Sequence, residues 1–208
     1  MNLKSAIAVV ALACLLPAAS FAEPANEYAR PGWYLGAGGT WAPHWWKAPE
    51  DPLNSPTIKT HNSFGFQVRG GYRVNRWLAT ELEYEWLDGF DNKVGGSTIF
   101  KLRTHVITAN AKFLCPGLGR FQPYVLFGAG AAIFDITDRN GLGTALESSS
   151  TGFAFRGTAG LDFYVTKNWL LNFEAGAVIP TNEVEVSGAG DLEELFYIPI
   201  QLGFQYRF

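Results

Sequence analysis

An eight-stranded, antiparallel, up-and-down transmembrane β-barrel is the fold that this 208-residue sequence predicts. Three observations carry it. Eight segments of roughly ten residues alternate apolar and polar side chains, which is the length and period of tilted strands crossing a bilayer. The links between the segments alternate long and short. Aromatic residues gather at both ends of the segments, where amphipathic rings settle at headgroup depth.

Strand 1 is read as Gly32–Trp41, strand 2 as Ser63–Arg73, strand 3 as Trp77–Leu87 and strand 4 as Thr98–Leu114. Strand 5 is Gln122–Phe134, strand 6 Gly152–Val165, strand 7 Trp169–Ile179 and strand 8 Tyr197–Phe208. Side chains on a strand alternate between two faces. In strand 8, Ile198, Ile200, Leu202, Phe204, Tyr206 and Phe208 share one face, and Pro199, Gln201, Gly203, Gln205 and Arg207 the other. Strand 3 sets Leu82, Tyr84 and Trp86 against Glu81, Glu83 and Glu85. Strands 2, 6 and 7 repeat the pattern. Strand 4 breaks it, because Lys101, Arg103 and His105 have one parity and Asn110 and Lys112 the other. Either a bulge intervenes or the outer half of that strand stands above the bilayer.

The long links are Ala42–Asn62, Asp88–Ser97, Asp135–Thr151 and Pro180–Phe196; the short ones are Val74–Arg76, Cys115–Phe121 and Thr166–Asn168. Outer-membrane barrels have short periplasmic turns and longer extracellular loops, so both termini are expected in the periplasm. Trp33, Trp77, Trp169 and Phe208 then mark the periplasmic edge, and Trp41 and Trp86 the outer one. Trp77 has inward parity, which leaves packing beneath the barrel as its alternative.

Residues 1–22 read as a signal peptide. Lys4 precedes an apolar run, Ala6–Leu16, and Ser20-Phe21-Ala22 fits a small-x-small cleavage site. A lipoprotein signal, with Leu12-Ala13 before Cys14, is the rival reading. Cleavage after Ala22 leaves a short periplasmic segment, 23–31, then the barrel, 32–208. It also leaves Cys115 as the one cysteine, too few for an internal disulfide. The formal net charge of −3 gives no basic footprint for nucleic acid.

The inward faces collect five bases, Arg69, Arg73, Lys112, Arg156 and Arg207, and five acids, Glu81, Glu83, Glu85, Asp162 and Glu174. Buried charges persist when paired, and eight strands enclose a space that side chains just fill. A salt-bridged packed interior is the leading expectation; a narrow polar pathway lined by Arg69, Arg156 and the three strand-3 glutamates is the second, and a proton or ligand relay the third. Gly36, Gly38, Gly128, Gly130, Gly160 and Gly176 point inward and are expected to leave room for Arg and Glu heads. None belongs to a nucleotide-binding glycine motif.

His44, His61 and His105 have no Cys or His at ligand spacing, so neither a metal nor another cofactor is expected. His105 with Thr108 or Ser63 is the one conceivable base and nucleophile, but Ile107 occupies the position that shares a face with His105. No catalytic residue is assigned. In the first long loop, Trp45 and Trp46 are candidate contacts, with interfacial anchoring as the plainer role. The last loop is acidic, with Glu183, Glu185, Asp191, Glu193 and Glu194.

Five stretches carry a resemblance: GWYLGAGGTW (32–41), WLATELEYEWLDGF (77–90), QPYVLFGAGAAIFD (122–135), FRGTAGLDFYVTKNWLLNFEA (155–175) and IQLGFQYRF (200–208). They resemble the OmpA-like and OmpX-like superfamily of small outer-membrane barrels, over essentially the whole mature chain. The resemblance implies residence in the outer membrane of a Gram-negative bacterium, among its lipid and lipopolysaccharide. It also implies that Leu202, Gly203, Phe204, Tyr206 and Phe208 form the terminal signal read by the barrel-assembly machinery. A monomer with a structural or surface-interaction role is expected. A conduit for small or hydrophobic solutes is the alternative, and a lipid-modifying enzyme is a third reading. The superfamily's cell-wall-binding domain is not seen in this sequence, so a tether is not expected.

Overall fold

A computed structural model describes residues 27–43, 59–60, 62–94, 97–138, 149–181 and 197–208. Eight strands close into one antiparallel barrel: β1 Gly32–Ala42, β2 Ser63–Arg73, β3 Leu78–Val94, β4 Ser97–Leu114, β5 Phe121–Asp138, β6 Ser149–Tyr164, β7 Trp169–Pro180 and β8 Ile200–Arg207. Each strand pairs with its neighbours in sequence. β8 closes on β1, from Tyr34↔Arg207 to Trp41↔Ile200. A two-residue strand, Lys59–Thr60, adds to the far end of β3. Closure satisfies the backbone and leaves no sheet edge, the condition for strands in lipid.

The 3-10 turn at Glu27–Ala29, the C-terminal Phe208 and the three short links share one end of the barrel, here the turn end. Side chains set two of these turns. Asn75 Oδ1 accepts from the backbone N–H of Trp77 (2.8 Å) and Leu78 (2.9 Å). Thr166 Oγ1 accepts from Trp169 N–H at 2.9 Å. Such side-chain turns mimic a backbone turn. The third link holds a short 3-10 helix, Pro116–Leu118, ended by Gly119 at φ 62°.

The two faces follow the expected parity. Leu35, Phe64, Phe66, Leu82, Phe127, Phe153, Phe155, Phe173, Leu202 and Phe204 are exposed around the outside. The polar and charged partners of these residues are buried within. This inversion of a soluble protein is stable only where the outside solvent is hydrocarbon.

Two expectations are corrected and one alternative is excluded. Asp88–Ser97 is not an open loop: β3 and β4 stay paired up to Val94↔Ser97, with register shifts after Leu87 and Asn92. Gly89, at φ 114°, sits in the first shift and donates its N–H to Ser63 Oγ at 3.1 Å. Residues 197–199 are not regular strand. Pro199 has no N–H to donate, and Tyr197 meets Val178 in an isolated bridge. Trp77 does not pack beneath the barrel: it is exposed, with the Arg76 guanidinium 5.4 Å from its ring centre.

The parity break in β4 also resolves. The ladder with β5 runs without a shift from Phe100↔Asp138 to Leu114↔Tyr124, so no bulge separates Arg103 from Lys112. Arg103 is exposed on the outside, beyond the girdle residue Trp86, whose partner is His105. The outer half of this strand therefore projects past the aromatic edge.

A gel follows from this architecture. The unheated protein in detergent is expected to migrate faster than the boiled protein. Identical migration of folded and boiled samples would exclude a closed barrel.

Candidate functional site

The interior is the site that the fold builds. Along β3 the inward residues read Leu87, Glu85, Glu83, Glu81 and Ala79, and these mark three levels from the loop end to the turn end. At the loop end, Ala42, Leu87, Val106, Ala132, Phe134, Ala154, Val178 and Tyr197 form a buried apolar cluster.

Below it, two arginines from opposite walls meet four glutamates. Arg156 on β6 donates Nη1 to Glu83 Oε1 (2.6 Å) and Nη2 to Glu85 Oε2 (3.1 Å). Arg69 on β2 donates Nη1 to Glu174 Oε2 (3.0 Å) and Nη2 to Gln201 Oε1 (2.6 Å). It also lies 3.5 Å from Glu81 Oε1 and 3.6 Å from Glu83 Oε2. Gln201 on β8 returns its amide N–H groups to Glu83 (2.9 Å) and Glu85 (2.5 Å). The Arg69, Arg156, Glu81, Glu83 and Glu85 side chains are 0% exposed. Desolvated charges are tolerated where opposite charges and hydrogen bonds compensate them.

Tyrosines supply donors that sequence reasoning missed. Tyr34 donates to Glu81 (2.9 Å), Tyr197 to Glu85 (2.6 Å) and Tyr124 to Glu174 (2.7 Å). Inward parity is the signal in the sequence that marks them, although aromatic residues at strand ends equally fit membrane anchors. The same rings correct the reading of the glycines. A Cβ on Gly160 would strike the Tyr124 ring, and one on Gly71 the Tyr34 ring. Gly38 lies against Gln67 and Gly128 against Asn110. The cleared space seats tyrosines and amides, not Arg and Glu heads.

Toward the turn end, Lys112 Nζ sits 3.0 and 2.8 Å from the two oxygens of Asp162 and 3.8 Å from the Tyr124 ring centre. Asn172 donates to both Asp162 and Tyr124. Arg73 and Arg207 lie lowest. Among the described residues neither has a carboxylate within salt-bridge distance. They share the Tyr164 hydroxyl (3.2 and 3.0 Å) and the Tyr28 carbonyl (3.2 and 2.6 Å), and Arg73 also donates to Gln122 (2.7 Å). Tyr28 belongs to a 3-10 turn, Glu27–Ala29, laid across this end. The five acids and five bases are thus distributed unevenly: carboxylates exceed cations in the middle, and cations exceed carboxylates at the turn end.

His105 stands outside this network. Its Nδ1 is 2.9 Å from the Tyr84 hydroxyl and its Nε2 3.6 Å from Asp135. Thr108 faces inward, and Ser63 is buried and bonded to Gly89. The histidine therefore shares a face with neither hydroxyl. No group of three His, Cys, Asp or Glu side chains able to hold a metal occurs among the described residues. Trp45, Trp46 and the acidic loop 183–194 lie outside the described residues, as does the expected signal peptide.

The model of the outer membrane protein beta-barrel domain matches residues 8–208. The chain belongs to this family. It is an outer-membrane β-barrel, and its exposed apolar wall faces the lipid of that membrane.

Neisserial surface protein A has a similar structure (TM-score 0.60, 17% identity, covering 86% of this chain and 99% of that one). So do outer membrane protein W of E. coli (0.53, 18%, 85% and 97%) and Ail of Yersinia pestis, crystallised with the heparin analogue sucrose octasulfate (0.50, 18%, 86% and 97%). These likenesses show the fold. No curated protein sequence matches the chain.

The final strand of this outer-membrane barrel presents Leu202, Phe204 and Phe208 to the outside, exposed at 64%, 53% and 62%. Gly203 is buried and Tyr206 half-buried. The Phe208 ring meets Tyr206 at 5.2 Å, and Phe208 N–H donates to the Trp33 carbonyl at 3.0 Å.

Proposed function

We propose that the protein is a sealed structural barrel of the outer membrane whose loop end carries its interactions. One observation supports this above others: the middle of the interior is filled by side chains bonded across the barrel, beneath an apolar layer. An aqueous path would have to separate Arg156 from Glu83 and Glu85, and Arg69 from Glu174, without replacing those partners.

In this reading the turn end, with both termini, faces the periplasm, following the family's habit of short periplasmic turns. Residues 1–22 are a cleaved signal and 23–31 a periplasmic segment. The loops then reach outward, where Trp45, Trp46 and the acidic stretch 183–194 are the contacts we assign to an extracellular partner. The barrel acts as a monomer and holds no cofactor. Leu202, Gly203, Phe204, Tyr206 and Phe208 serve as the signal for the assembly machinery. We assign no catalytic role, since His105 is hydrogen-bonded to the Tyr84 phenol, lies 3.6 Å from Asp135 and shares its face with neither Thr108 nor Ser63.

Planar-bilayer recording tests the seal. The purified barrel is expected to give no reproducible ion conductance. Steady, concentration-dependent channels would replace this reading with the conduit, and the buried pairs at Arg69 and Arg156 would be its gate.

A further inference from the structure

We propose that the turn end of the barrel binds one small monatomic anion, a halide, between Arg207, Gln205, Arg73 and Lys112. The inference does not depend on whether the barrel conducts.

The first ground is charge. Arg73 and Arg207 are 2% and 1% exposed, and their hydrogen bonds run to neutral acceptors: carbonyls, an amide and the Tyr164 hydroxyl. Lys112 is neutralised by Asp162. Among the described residues, Arg73 and Arg207 thus have no carboxylate partner of their own, and Asp162, the acid lining the same space, is already paired with Lys112; unpaired buried charge is costly.

The second ground is unmet donors. Arg207 Nε and Gln205 Nε2 are buried polar atoms with no hydrogen-bond partner in the protein. Buried N–H groups are normally satisfied.

The third ground is space. A small cavity is lined by Arg73, Lys112, Asp162, Tyr164, Gln205 and Arg207. It offers about 10 Å³ to the centre of a water-sized sphere, enough for one occupant of that order. Both residues with unmet donors line it. Water would accept from these donors but must also place two protons of its own. Much of the acceptor capacity there is already used: Asp162 takes three hydrogen bonds from Lys112 and Asn172, and Tyr164 takes two from the arginines. A halide only accepts, and it supplies the missing negative charge. Phosphate and carboxylates are too large for a space that holds a single sphere.

The experiment uses the full mature protein folded in detergent. Its melting midpoint is measured in sodium chloride and in sodium gluconate at equal ionic strength. A ligand that binds only the folded state raises the midpoint with its concentration, so a rise of several degrees is expected in chloride and in bromide, not in gluconate. Gln205→Glu places a fixed carboxylate at the site and is expected to abolish the chloride dependence while the fold persists. Crystals grown in bromide are expected to show an anomalous peak within hydrogen-bond reach of Arg207 Nε. If Gln205→Glu does not fold, that peak still decides the matter. Equal melting in chloride and gluconate with no peak at the cavity means that water fills the space, and overturns the proposal. Bromide found only at exposed surface arginines overturns it as well.

Discussion

Arg156→Ala is expected to destabilise the folded barrel by about 3–5 kcal/mol, the usual loss when one partner of a buried ion pair is removed. The cost lies less in the lost bonds than in what they leave behind. Arg156 holds Glu83 and Glu85, and its guanidinium also lies 3.9 Å from Glu174. Without it, Glu85 loses its cationic partner, and Glu81, Glu83 and Glu174 are left to Arg69 alone. The urea midpoint of the refolded barrel measures the effect. Arg103→Ala, on the exposed outer wall, is the control and should change stability by less than about 0.5 kcal/mol. Combining Arg156→Met with Glu83→Gln and Glu85→Gln removes charges of both signs and is expected to recover part of the loss, as apolar or neutral replacements of whole buried pairs often do. An unchanged midpoint for Arg156→Ala would mean that water reaches the guanidinium and that the interior is wet.

Phe208→Ala is expected to reduce the amount of folded protein in the outer membrane to a small fraction, while the refolded protein keeps its stability to within about 0.5 kcal/mol. The asymmetry rests on what Phe208 touches. Its ring is mostly exposed and meets Tyr206, and its structural hydrogen bond to Trp33 uses the backbone, which alanine retains. A residue that contributes so little to the folded state should matter on the way to it. Heat-modifiable protein at wild-type levels in the membrane fraction would refute the assembly role. A lowered urea midpoint would assign the defect to packing instead.

The strands and their faces were legible because lipid and the polar interior enforce alternation from opposite sides. Where only one of those solvents acts, the pattern fades. β3 beyond Leu87 runs through Asp88, Gly89, Asp91, Asn92 and Lys93, which read as a loop because no apolar face is required above the membrane; the ladder to β4 continues nonetheless. The list of inward charges was available from parity. Its division was not, since Arg156 reaches Glu83 across 73 positions of sequence and Arg69 reaches Glu174 across 105. Such pairings are decided by which walls face each other after the sheet curls. The tyrosines show a third limit. One residue type serves both as a membrane anchor and as a buried donor, and only the surroundings of Tyr34, Tyr124 and Tyr197 separate the two roles.

The cross-barrel bonds also bear on how the chain acquires its shape. The hairpin of β2 and β3 cannot compensate its own charges: it brings two arginines and three glutamates, and partners of Arg69, Glu83 and Glu85 lie on β6, β7 and β8. A half-formed sheet entering lipid would carry those charges uncompensated. Gln201, on the strand that closes the barrel against β1, completes the coordination of Glu83, Glu85 and Arg69 at once. The free energy therefore falls late and steeply, when distant segments meet. Contacts of such long sequence separation slow folding, and here they tie the compensation of the interior charges to closure of the barrel.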